Sequence, residues 1–537
     1  MKKLFLYIII FSCFAGYSQE DAWVYFKVKN SSQTYFDNPM AMLSQRALDR
    51  RNTQNIPFDL KDIPIDKTLT SQIKAVLGIT IMAKSKWMNA LHIRGNQSDI
   101  NSLKSFAFVD KVDFANKSLN MTAKKAVTSK IKSVNKILET QTDFAYGNSA
   151  NQIQMLNGHL LHKQNYTGSG KIIAIMDAGY PGVNTAQPFQ RLRDNNQILG
   201  GYDFVNRSES FYSGNSHGTL VLSSMGGYKE NSMVGTAPDA LYYLFQTEDG
   251  AAENPVEESY WVEAAEKADS LGVDVINTSL GYFDFDNTAY SHTYNDMDGK
   301  TAFMTRGAEI AFSRGMIVVV SAGNEGGTAN PHIAVPADGI SVLAVGAVTS
   351  TKTVANFSSI GPSFDGRVKP DVMAQGQAVV LSNPSGSIVT ANGTSFSGPI
   401  TAGMVACLWQ AYPDKTNHEI KDLIVKSADR FSAPTNQYGY GIPDFSLALS
   451  NGVGVNDYFS SDVILYPNPT TELVNIILSS NDDKGTIRIY SILGKTILNQ
   501  TVDKNAKSIC LKTLSKGIYF YELNLNGISK TGKIIKQ

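Results

Sequence analysis

Lys171-Ile172-Ile173-Ala174-Ile175-Met176-Asp177-Ala178-Gly179 is an apolar, β-branched run that ends on an acidic residue and a glycine. Such a run, closed by turn-forming residues, predicts a strand that stops at Asp177. Val273 to Asn277, Met316 to Ser321 and Ser341 to Val345 repeat the pattern, each bounded by Gly, Asp or Ser. Helical patterns at Val262 to Leu271 and Met304 to Arg314 fall between them. Strands alternating with helices predict an α/β domain over residues 146–452, built as a parallel sheet with helices on both faces. Reactive groups in that architecture collect at the carboxyl ends of the strands, which is where Asp177 stands.

On either side of this domain the composition changes. Residues 20 to 140 are rich in Lys, Asp and Asn, with strand-like Trp23-Val24-Tyr25-Phe26-Lys27-Val28 and Phe106-Ala107-Phe108-Val109 and helix-like Ser44 to Arg51 and Leu69 to Leu77. They predict a small α+β piece over 19–145, either an inhibitory prosegment or an accessory domain. Ahead of it, Lys2 and Lys3 precede apolar Leu4 to Phe11 and small Gly16 and Ser18, which reads as an export signal over 1–18. That run falls short of the roughly 20 apolar residues a membrane span needs; Ser12-Cys13 admits a lipoprotein signal as the alternative. Beyond the α/β domain, polar, Gly-containing residues read as a linker over 453–462. Residues 463–537 alternate at Ile487-Arg488-Ile489-Tyr490 and Tyr519-Phe520-Tyr521-Glu522-Leu523 between Gly and Asn turns, which predicts a small C-terminal β-sandwich.

A chain of 537 residues exceeds what one hydrophobic core supports, in keeping with several domains. Lys+Arg and Asp+Glu number 48 each, so no overall field draws the protein to nucleic acid or acidic lipid, and nucleic acid is not an expected partner. Of three cysteines, Cys13 lies in the signal, and Cys407 and Cys510 fall in different domains, so no structural disulfide is expected. Cys407, within Met404-Val405-Ala406-Cys407-Leu408-Trp409, reads as a small core residue, and metal-site spacing is absent.

Four polar residues stand where chemistry is expected. Asp177, at a strand end, can hold an imidazole in one tautomer, although Asp before Gly also serves plain turns. His217, in Ser216-His217-Gly218-Thr219, opens a helical run and has the side chain suited to act as base and then acid; a structural histidine would also fit. Asn324 lies in Ser321-Ala322-Gly323-Asn324-Glu325-Gly326 after a β-branched strand, where its amide can donate to an oxyanion or merely complete a glycine turn. Ser395, in Asn392-Gly393-Thr394-Ser395-Phe396-Ser397-Gly398-Pro399, begins a long helical run, as a nucleophile or as a capping serine.

Together, Asp177-Ala178-Gly179, His217-Gly218-Thr219 and Gly393-Thr394-Ser395 resemble the three signature regions of the subtilase family over residues 150 to 450. The resemblance implies a subtilisin-like fold and a secreted serine endopeptidase. Ser395 would be the nucleophile, His217 the base, Asp177 its orienter and Asn324 the oxyanion donor; the product of attack would be an acyl-enzyme. It also implies that Ser279, Leu280 and Gly281 form a substrate-binding edge, with Ala322 and Gly323 on the opposite wall of the specificity pocket. Two departures stand out: Ala178 replaces the usual Ser or Thr, and no histidine follows Pro399. No cofactor is required; structural calcium is frequent in the family, but no metal ligands are assigned.

Asn38-Pro39, Leu43-Ser44, Arg46-Ala47-Leu48-Asp49-Arg50-Arg51 and Ser85-Lys86-Trp87 are similar to the prosegment of some bacterial subtilases. Tyr466-Pro467-Asn468-Pro469, Gly494, Gly517-Ile518-Tyr519 and Lys533-Ile534-Ile535-Lys536 resemble the C-terminal sorting domain of type IX secretion in Bacteroidetes. The partners implied are protein or peptide substrates, the chain's own prosegment as inhibitor, and secretion machinery. The expected product is a monomer, secreted or held at the cell surface after passing through the periplasm. The alternatives are a carbohydrate- or substrate-binding role for the β-sandwich, and an inactive protease scaffold serving binding or adhesion.

Overall fold

The computed structural model describes residues 19–30, 32–120 and 143–452, then 464–466, 470–477, 485–491, 494–503, 508–525 and 528–537. The expected signal at 1–18, the end of the prosegment at 121–142, the linker at 453–462 and Pro467-Asn468-Pro469 lie outside these residues.

The strand Ile172–Asp177 is buried along its whole length, near the middle of a seven-stranded sheet. Strands follow the order Val372–Gln375, Leu343–Val348, Ile317–Ser321, Val275–Thr278, Ile172–Asp177, Leu241–Gln246, Ile198–Asp203, and all neighbours run parallel. Successive side chains leave opposite faces of a strand. Ile173 and Ile175 therefore enter one core with Leu222 and Met404, from the helices His217–Gly226 and Thr394–Ala411. Ile172, Ala174 and Met176 enter a second core with Val262 and Met304, from the helices Val256–Leu271 and Phe303–Ser313. Register puts Met176 beside Thr278 and Thr278 beside Val320, so the residues just after these strands share one edge of the sheet.

The N-terminal piece is a four-stranded antiparallel sheet in the order Thr80–Ser85, Ala90–Asn96, Gln19–Phe26, Val109–Phe114. One face carries its own core of Val24, Ile73, Leu91 and Leu103. Phe106-Ala107-Phe108, expected as a strand, forms turns instead, because the Phe106 and Val109 amides bond back to Leu103 and Phe106 carbonyls; pairing begins only at Val109. The other face brings Trp23, Tyr25 and Trp87 into the core around Val256–Leu271. Trp23 stacks on Phe303 at 5.0 Å and donates its indole N–H to Ser259 at 2.8 Å. Glu266 accepts from Ser85 Oγ and from the Lys86 and Trp87 amides at 2.6, 3.0 and 2.9 Å. Asp269 takes Arg50 at 2.6 Å and Arg51 at 2.7 Å, and Asp62 takes Arg51 at 2.7 Å, all of them buried. The N-terminal and α/β domains thus form one compact unit through Gly452.

A second unit begins at Val453. It holds a three-stranded and a four-stranded sheet that share a core of Val474, Ile487, Ile489, Ile509, Leu523 and Ile534. Among the described residues no helix is long and apolar enough to cross a membrane.

Candidate active site

Asp177 ends its strand with no exposure to solvent. Its Oδ1 accepts from the Ala178 amide at 2.8 Å and from His217 Nδ1 at 2.8 Å, while Oδ2 is buried without a partner among the described residues. A ring nitrogen facing a carboxylate carries the proton, so Nε2 is left as the basic atom of neutral His217. Such close approach depends on Gly218, where a Cβ would lie 2.5 Å from Gly179 O and 3.0 Å from Asp177 Cβ. Burial disfavours a charged His217, but the Asp177 carboxylate and its hydrogen bond, with the charge of Glu248, outweigh it and raise the imidazole to about 9.

Ser395 is the second residue of the 18-residue helix Thr394–Ala411. Gly393 ahead of it has φ +149°, a backbone that favours glycine and lets the chain turn into the helix. Thr394 N donates to Asn324 Oδ1 at 2.9 Å and Phe396 N to Gly393 O at 3.1 Å. The Ser395 amide, pointing out of a helix N-terminus, remains available to a negative charge. Four residues on, Pro399 has no N–H to give the Ser395 carbonyl, and Ser279 Oγ fills that vacancy at 3.0 Å. Ser279 Oγ is itself oriented by Asn277 Nδ2 at 3.0 Å. The Ser395 hydroxyl donates to Ser279 O at 3.1 Å.

Asn324 is held by its carbonyl oxygen, which also takes the Thr394 hydroxyl at 3.0 Å; the Nδ2 group is thereby turned away from Thr394. Asn324, Ser395 and His217 line one cleft of about 940 Å³, whose walls include Ser279, Leu280, Gly281 and Gly323. Ala322, expected beside Gly323, lies elsewhere: it is fully buried, with its amide on Val345 O. Alternation along the extended chain sends Ser321 and Gly323 to the cleft and Ala322 into the core.

Several residues of the site were not anticipated. Thr394, Asn277 and Pro399 position the neighbours of Ser395. Glu257, fully buried, accepts the Asp249 and Asn254 amides at 2.7 and 2.8 Å and so shapes a cleft loop; burial drives its carboxyl up to about 9 against these bonds. Glu248 in that loop is raised to about 7 by burial and by the charges of Asp177 and Glu253. Glu248 follows the strand Leu241–Gln246, so its place at a carboxyl end was a usable signal. Among the described residues, no three His, Cys, Asp or Glu converge as metal ligands would.

Residues 153–441 match the Subtilase family, residues 21–133 the Peptidase S8 propeptide domain of Bacteroidota and residues 464–537 a secretion system C-terminal sorting domain. Subtilisin NAT of Bacillus subtilis subsp. natto is 30% identical over 299 residues, which cover 55% of this chain and 70% of the relative. Subtilisin of Bacillus pumilus has the same identity over 55% of this chain and 97% of its own, and serine protease AprX of Bacillus subtilis is 30% identical over 57% and 70%. The chain belongs to the subtilase family and is a serine endopeptidase. Its sorting domain is of the type IX kind, and the protein is exported to the cell surface or beyond.

Proposed function

We propose that the protein hydrolyses peptide bonds through an acyl-enzyme on Ser395. The observation that carries the reading is the 2.8 Å bond from His217 to fully buried Asp177, in a cleft that also holds Ser395 and Asn324. A substrate strand adds along Ser279 to Gly281, with its primary side chain facing Gly323. The Ser395 hydroxyl leaves the Ser279 carbonyl and turns to His217 Nε2, which takes its proton as Oγ attacks the scissile carbonyl. Asn324 Nδ2 and the Ser395 amide hold the oxyanion. The imidazolium then protonates the leaving amine, and water, deprotonated by the same nitrogen, releases the acyl group. These steps use protein groups and water alone, within one chain.

Residues 1–18 act as export signal, 19–145 as a folding aid and inhibitor removed on maturation, 146–452 as the catalytic domain, 453–462 as linker and 463–537 as sorting domain. Support for the prosegment role is its apolar docking face of Trp23, Tyr25 and Trp87, which covers the core around Val256–Leu271. Among the described residues, none before Ala178 lines the cleft.

A chromogenic ester tests the chemistry. A pre-steady-state burst of one product per processed chain is expected, abolished in Ser395→Ala. A burst that survives this substitution removes Ser395 from its role.

A further inference from the structure

The cleft has a one-sided charge. Glu248, Asp249, Glu253, Asp284, Asp286 and Glu325 line it, and among the described residues no Lys or Arg does. None of the six forms an ion pair among the described residues, and Glu248, half-buried, has no hydrogen-bond partner there either. These carboxylates are not left loose. Glu257 anchors the 249–254 loop, while Asp286 N donates to Glu253 O at 3.0 Å and Glu253 N to Asp286 Oδ2 at 3.2 Å, tying the two acidic segments together. Like charges fixed at this density repel one another, and the charge of Asp286 adds to burial in raising Glu253. A divalent ion is a poor answer, since no three of the acids converge.

What relieves such a wall is a cation brought by the ligand, and the ligand of this cleft is a peptide. Ser279 touches Ser395, and the chain from Gly281 through Phe283, Asp284 and Asp286 runs on from that point along the cleft. In the proposed reading the edge Ser279 to Gly281 takes the residues that precede the scissile bond, so the acidic wall faces those further upstream. We propose that the enzyme selects substrates with Lys or Arg among the four residues preceding the scissile bond, through Glu248 and its acidic neighbours. The chain carries a peptide of that kind around the junction of its propeptide and peptidase matches: residues 121–142 include Lys124, Lys125, Lys130, Lys132 and Lys136 against one acid, Glu139.

This inference rests on the catalytic reading but fails separately from it. Internally quenched peptides that carry Lys, Gln or Glu at each of the four upstream positions give kcat/KM with the purified processed chain. Their Kd values for the Ser395→Ala chain report recognition without turnover. The Lys peptide is expected to exceed its Gln counterpart by roughly tenfold in one or more positions, with the ratio falling as salt screens the wall. Glu248→Gln should reduce that ratio several-fold and Glu248→Lys should turn the preference toward Glu. Lys-selective binding without cleavage of any peptide would keep the specificity and overturn the role of Ser395. Equal handling of Lys, Gln and Glu peptides in both measurements would overturn the specificity.

Discussion

Replacing Asp177 by Asn isolates the charge in the proposed triad. Oδ1 takes both the Ala178 amide and His217, and Oδ2 has no partner among the described residues. An Asn with its oxygen at the Oδ1 position keeps both bonds and removes only the negative charge. His217, 31% exposed at its side chain, is raised from 6.5 to about 9 despite burial. Protonation is thus favoured by about 3 kcal/mol at about 1.4 kcal/mol per pH unit. That stabilisation acts on the imidazolium formed during attack, so its loss should slow acylation by roughly 150-fold. The base must be neutral, so kcat/KM of the parent rises with pH through about 9. In Asp177→Asn, burial prevails and the limb should fall below 6.5. The assay is kcat/KM on one neutral chromogenic peptide from pH 5 to 11, compared on the high-pH plateaus. A limb that stays near 9, or plateaus within a few-fold, would refute the assignment of Asp177.

Asn324→Ala should lower kcat by roughly 10²- to 10³-fold, the usual cost of removing one oxyanion-hole donor, with little change in KM, since the proposed bond forms mainly in the transition state; a loss confined to KM contradicts this. Ser279→Ala should cost about 1 kcal/mol of thermal stability by orphaning the Ser395 carbonyl, and Pro399→Ala should restore part of it by supplying the missing helix amide; the melting temperatures of the two single variants and the double variant decide. Glu266, on the catalytic-domain helix Val256–Leu271, is raised to about 7 with the prosegment docked, chiefly by burial, from an ordinary 4.5. The docked state then holds its proton more tightly, so docking is strongest below about 4.5 and weakens as pH rises through about 7. Size-exclusion chromatography of the cleaved complex at pH 5 and 8 should show more release at pH 8, and Glu266→Gln should flatten the difference.

The catalytic domain was readable where apolar runs were unbroken. Ile172–Asp177, Val275–Thr278, Ile317–Ser321 and Leu343–Val348 fall within two or three residues of the runs that predict them. Strands Ile198–Asp203, interrupted by Gly200-Gly201, and Val372–Gln375, four residues long, carry too little β-forming sequence to stand out. The candidate site was legible as four separate signals because each stands at a strand end, beside a glycine or at a helix start. Its supporting bonds were not: Ser279 and Ser395 lie 116 residues apart, and only the packing of the helix Thr394–Ala411 against the strand Val275–Thr278 brings them together. The acidic wall was hidden for the same reason, being contributed by three segments that composition averages away within a neutral chain. Ala322 was misplaced because the resemblance transfers a segment, whereas alternation decides which of its side chains reach the cleft.

The central claim is that His217 makes Ser395 a nucleophile. Intact-mass and peptide-mapping analysis of the processed chain after a fluorophosphonate probe tests it directly. One adduct on the peptide containing Ser395 is predicted, absent in Ser395→Ala and formed far more slowly in His217→Ala. An adduct on another serine, or labelling of Ser395 at the parent rate without His217, would contradict it.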